Sequence, residues 1–167
     1  MASTWQASVR RAGPSTLGIL FHLRENSMKP AITLRIASAL ALLQYSAHAF
    51  LFLSATPTHG AGEIAVIDAM KSHVVGLSRS YWDFYFGYGL MVILSGVIEV
   101  ILLWHLAVVA KNEPYRVRPI IALFIFANFM HALLVWKYFQ LIAPMTFDVL
   151  VASTLSFAFV AARRKDA

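Results

Sequence analysis

Cysteine is absent from all 167 residues. That excludes disulfides, iron–sulfur clusters, thiol nucleophiles and covalently attached c-type haem. Charge is scarce too: 13% of residues are charged, where an ordinary soluble domain carries about a quarter. No P-loop, dinucleotide fingerprint or G-x-S-x-G elbow is present, nor any internal repeat or low-complexity tract. The net charge of +6 raises the question of nucleic acid. However, the basic residues collect at the ends of apolar runs and form no patch on a polar domain, so nucleic acid is not an expected partner.

Apolar residues make up 59% of the chain, and the mean hydropathy is +0.68. A soluble fold of this size has nowhere to bury so much apolar surface, and the composition predicts a single-domain integral membrane protein. A helix needs roughly 20 apolar residues to cross about 30 Å of hydrocarbon. Four stretches satisfy this, at about 31–53, 84–110, 119–138 and 144–162. The expected architecture is an all-α, four-helix transmembrane bundle over residues 30–162. It is preceded by a tail over 1–29, expected to be cytoplasmic, and followed by a basic C-terminus over 163–167. Within the tail, Met28-Lys29-Pro30 reads as a second plausible start. Residues 63–77, EIAVIDAMKSHVVGL, place Ile64, Ile67, Met70 and Val74 at helical spacing, which predicts a short interfacial helix in the first external loop.

Lys and Arg counts orient the bundle. Arg10, Arg11, Arg24, Lys29, Arg35, Lys111, Arg116, Arg118, Arg163, Arg164 and Lys165 fall on one side, against Lys71, Arg79 and Lys137 on the other. Both termini are therefore expected in the cytoplasm. A competing reading takes the first span as a signal peptide cleaved after Ala47-His48-Ala49, although Phe50 to Leu53 extend the apolar run beyond that site.

In LSGVIEVILLWH, residues 94–105, a glutamate interrupts an apolar run. Ionisable residues in hydrocarbon are costly, turn towards the bundle interior and tend to mark function. Tyr85, Tyr88, Ser95 and Glu99 fall within about 80° of one another on a helix, with Gly89 and Gly96 beside them. Gln44, Tyr45 and His48 share a face of the first span. Asn128 and His131 share one of the third, and Asp148 stands in the outer part of the fourth. Counted from the expected span ends at about 1.5 Å per residue, Gln44, Glu99, Asn128 and His131 fall near one depth, with His48 and Asp148 nearer the outside. Gln44, His48, Tyr85, Tyr88, Glu99, Asn128, His131 and Asp148 are the candidate ligand-binding set, with Glu99 expected to bond Asn128, His131 or Gln44. The competing reading is a satisfied polar network that only fixes helix register. Asp83 is expected to cap the second span, and Arg35 to snorkel to the headgroups. No cofactor and no metal is expected; b-type haem held between His48 and His131 is the alternative.

The start of the second span, YWDFYFGYG, and the short basic connection KNEPYRVR resemble those of an uncharacterised family of small bacterial four-helix integral membrane proteins, over roughly residues 30–162. In outline the chain is also similar to DoxX-like bundles. Its intramembrane carboxylate and tyrosines give a weaker likeness to EXPERA-type bundles, which surround a lipophilic ligand. The resemblance implies a fold and a bacterial cytoplasmic (inner) membrane location, without implying a substrate. The expected function is binding of a small lipophilic molecule, or service as an accessory subunit, around Glu99. Beyond the lipid bilayer, a homo-oligomer or a larger membrane complex is an expected partner. The alternatives are a membrane enzyme using Glu99 and His131 as acid and base on a lipophilic substrate, and proton-coupled transport by an oligomer.

Overall fold

The computed structural model describes residues 16–163, with side chains described from Lys29 onward. It is an all-α fold. Helix α1 spans Thr16–Leu53, α2 Ala61–Ser72, α3 Tyr81–Val109, α4 Arg118–Tyr138 and α5 Ile142–Ala161. Among the described residues, four stretches are long and apolar enough to cross a membrane: Lys29–Leu53, Tyr81–Val109, Pro114–Tyr138, which takes in the turn before α4, and Ile142–Ala161. Their outward faces carry large bare apolar side chains such as Leu42, Leu94, Phe126 and Phe157, as contact with lipid tails requires.

Helix α1 begins at Thr16, so the second half of the expected tail is continuous with the first span, through a buried Pro30. The first fifteen residues lie outside the described part. Helix α2 occupies the expected loop position but stops at Ser72. Val74, placed on that helix by the sequence pattern, instead opens a small antiparallel hairpin, β1 (Val74–Gly76) against β2 (Arg79–Ser80). The turn passes through Leu77 and Ser78, both with positive φ. A two-residue turn of this hand matches strand twist, but Asn and Gly are its usual occupants.

Ser80, not Asp83, caps α3. Its hydroxyl accepts from the Asp83 N–H at 3.2 Å, and the Asp83 carboxylate accepts from the Ser80 N–H at 2.8 Å. This is a capping box in which Asp83 is the third-position partner. At the other end of α3, a short 3₁₀ turn, Pro114–Val117, leads into α4, with Pro119 in the first turn where its missing N–H costs nothing.

Helix α1 packs along both α3 and α5, and α5 packs along α4, whereas α3 and α4 hardly meet along their backbones. The apolar core fills the half of the bundle nearest the 110–117 connection. There Leu34, Leu103, Ile121 and Leu155 are completely buried among Ala31, Ala37, Ala41, Ala107 and Ala158. Small residues let helix backbones approach where no hydrophobic effect drives them together. Towards the hairpin end the interior becomes polar.

Candidate functional site

The neighbours Gln44 and Tyr45 are about 100° apart around α1, which lies between α3 and α5. Each therefore reaches a different helix. Gln44 Nε2 donates to Asp148 Oδ1 of α5 at 2.7 Å, and the Tyr45 hydroxyl donates to Glu99 Oε2 of α3 at 3.0 Å. Helix α4 repeats the arrangement. Asn128 Nδ2 donates to Glu99 Oε1 at 2.8 Å, and His131 Nδ1 shares a hydrogen bond with Asp148 Oδ2 at 2.9 Å. Each carboxylate thus takes one partner from α1 and one from α4, and the four bonds close a ring through all four spans. Asp148 is completely buried, Gln44 and Asn128 nearly so, and Glu99 is half-buried. Asn128 also donates to the Phe124 carbonyl of its own helix, which fixes its amide towards α3.

Two supports hold the ring. The Tyr45 ring lies where a side chain on Gly96 would project, so Gly96 is what lets the phenol reach Glu99 from the adjacent helix. Ser38, two turns nearer the connection end, donates to the Val100 carbonyl at 2.9 Å and ties α1 to α3 again. Gly89 stands against Phe52 in the same way, at the start of an aromatic cluster of Phe52, Trp82, Tyr85 and Phe86.

The structure distributes the sequence-derived candidates unevenly. Gln44, Glu99, Asn128 and His131, expected at one depth, all join the ring, and so does Asp148. Of the partners expected for Glu99, Asn128 is one, while Gln44 and His131 bond to Asp148 instead. The second partner of Glu99, Tyr45, was not among the candidates. The signal was its place beside Gln44 opposite a glycine. Tyr85 and Tyr88 are largely exposed and make no hydrogen bond to the ring; Tyr85 belongs to the aromatic cluster.

His48, one turn beyond Gln44 on the same face of α1, stacks on Phe52 with ring centroids 5.8 Å apart. Its Nε2 is buried and has no hydrogen-bond partner. The His131 side chain is 39% exposed, with its Nδ1 committed to Asp148. Among the described residues, no three of His, Asp and Glu converge as a metal site would require. Among the described residues, the surface recess between α1 and α3 near Trp104 and that at the start of α3 around Trp82 are lined by no ring residue.

This geometry can do two things chemically. It can lock helix register, since every carboxylate oxygen in the ring is satisfied. It can also offer polar groups to a molecule arriving from the lipid, because Glu99 and His131 remain partly exposed. Four helices able to cross a membrane, joined by this ring, define a multi-pass membrane protein. No protein-family model, curated protein or solved structure matches the chain.

Proposed function

We propose that the chain is a multi-pass protein of the bacterial inner membrane, with both termini cytoplasmic, that binds a small lipophilic molecule carrying a polar head at the Glu99 end of the ring. The reading rests chiefly on His48 Nε2, a buried nitrogen without a partner beside an otherwise satisfied network. An unpartnered polar atom is expensive in hydrocarbon, and a ligand hydroxyl or carbonyl would relieve that cost. Helices α3 and α4 share few backbone contacts, and such a molecule would enter from the lipid between them, past the exposed Tyr88 and Ser95 on the Glu99 face of α3. Because Asn128 already holds Glu99 from α4, binding would exchange the Asn128 amide for the ligand's polar group.

The test is organic extraction of the gently purified protein followed by mass spectrometry of the extract. The wild type is expected to carry a lipophile that falls at least about tenfold in His48→Phe and in Glu99→Gln. Equal retention in both variants would refute the reading and leave a purely structural ring.

A second reading has a specific observation in its favour. The completely buried Asp148 carboxylate holds the His131 ring at Nδ1 and leaves the other ring nitrogen of a partly exposed imidazole uncommitted. A carboxylate that orients an imidazole is how a general base is commonly prepared. In that case the acid–base pair is His131 with Asp148, and Glu99 is held apart by Tyr45 and Asn128. Service as an accessory subunit of a homo-oligomer or larger membrane complex uses the same ring without any ligand.

A further inference from the structure

At the opposite end of the α1–α3 interface from His48 lies a cation that has no counter-ion among the described residues. The Arg35 guanidinium lies 5.0 Å from the centre of the Trp104 ring, its Nε is buried, and that nitrogen has no hydrogen-bond partner. Among the described residues, the Lys or Arg side chain paired with a carboxylate is Arg116, with Glu113, and nothing pairs with Arg35. Trp104 stands five residues before the end of α3, roughly 8 Å inside it at about 1.5 Å per residue, and Arg35 lies over its ring. That is the depth at which lipid phosphates and esters meet the acyl chains.

The Trp104 ring beneath Arg35 also walls an apolar groove between α1 and α3, formed with Ala39, Leu42, Val100 and Ile101 and bordered by His105, whose Nδ1 lies 3.1 Å from the Ile101 carbonyl. Ser38 also borders it, but its hydroxyl is spent on the Val100 carbonyl, so it offers nothing to a headgroup. Leu42, Ile101 and Trp104 are each about half exposed, on the face turned to lipid. The recess at the other end of the bundle differs, because there Arg79 has the carboxylate of Asp83 on the same wall.

We propose that this groove is a binding site for one anionic phospholipid, with its phosphate on Arg35 and one acyl chain along Ala39, Leu42 and Ile101. A guanidinium lying over an indole without a hydrogen-bonded partner can still offer N–H groups to a phosphate. Arg118, stacked on Phe159 at 4.2 Å and likewise without an ion pair, adds positive potential at the same end. The inference is independent of any ligand at the ring.

Native mass spectrometry of the delipidated full-length chain tests it, by titration with phosphatidylglycerol and with phosphatidylcholine of the same acyl chains. Phosphatidylglycerol is expected to bind one-to-one, and phosphatidylcholine to bind far more weakly. Arg35→Gln is expected to weaken phosphatidylglycerol binding about five- to tenfold. Ala39→Phe fills the groove from the lipid-facing side and leaves the charge and the bundle core intact, so it should also weaken binding and guards against a misfolded Arg35 variant. Lys29→Gln should leave it unchanged. The proposal is overturned if the two lipids bind alike, if Arg35→Gln or Ala39→Phe binds as the wild type does, or if millimolar inorganic phosphate displaces the lipid.

Discussion

Gln140 ends α4 in the left-handed region, with φ of 53°, while its N–H and that of Phe139 both reach the Val135 carbonyl at 2.8 and 2.9 Å. Glycine is the usual residue in that position, because a Cβ there crowds the backbone by about 1–2 kcal/mol. Gln140→Gly should therefore raise stability by up to about 1 kcal/mol, read from thermal unfolding in detergent; a loss would mean that the side chain has a role of its own. Glu63 makes a different local device at the start of α2, where Gly60 supplies no side-chain cap. Its carboxylate accepts from the backbone N–H groups of His59 and Thr58, both at 2.7 Å, and these bonds, that of His59 foremost, hold it below the usual glutamate range. A depressed folded-state value stabilises above the unfolded one, near 4.3, and is lost as pH falls through the folded value. Protection of the Thr58 and His59 amides, taken relative to their intrinsic exchange rates at each pH, should fall on acidification below about pH 4, and Glu63→Gln should lower it already at neutral pH. If protection is the same at both pH values and in the variant, the carboxylate is not the cap.

Among the elements, α3 shows how the same residue type serves different ends. The positions of Gly89 and Gly96 are filled from α1 by Phe52 and Tyr45, while Gly87 has open space around it. Gly96→Ala must displace the Tyr45 ring and with it the bond to Glu99, and is expected to cost about 1–3 kcal/mol. Gly87→Ala should be neutral or stabilising by up to about 1 kcal/mol, through helix propensity alone. Unfolding of the two variants side by side checks the packing of α1 on α3; equal effects would contradict it. The spans themselves were legible in the sequence because an apolar run and its length are properties of the chain read in one dimension. The hairpin after α2 was not, since Leu77-Ser78 carries none of the usual turn chemistry and Val74 continues a helical spacing past the point where the helix stops.

Over the whole molecule, the bundle divides into an alanine- and leucine-filled half and a polar half, and the ring of Glu99 and Asp148 marks the boundary. That polar groups from four helices would converge could be read from their depths along the spans. Which of them would bond could not. His131 shares a face with Asn128, yet the two diverge to different carboxylates, and the choice depends on helix rotation and on a few ångströms of separation that no sequence period encodes. The Asn128–Glu99 bond joins the two spans that hardly touch elsewhere, α3 and α4. A double-mutant cycle on Glu99→Leu and Asn128→Leu, with unfolding free energies measured in the same detergent or bicelle, isolates that bond. A favourable coupling of about 0.5–1.5 kcal/mol is expected for a closed four-helix ring, whereas additive losses with no coupling would show that the two side chains do not meet and that the ring is open.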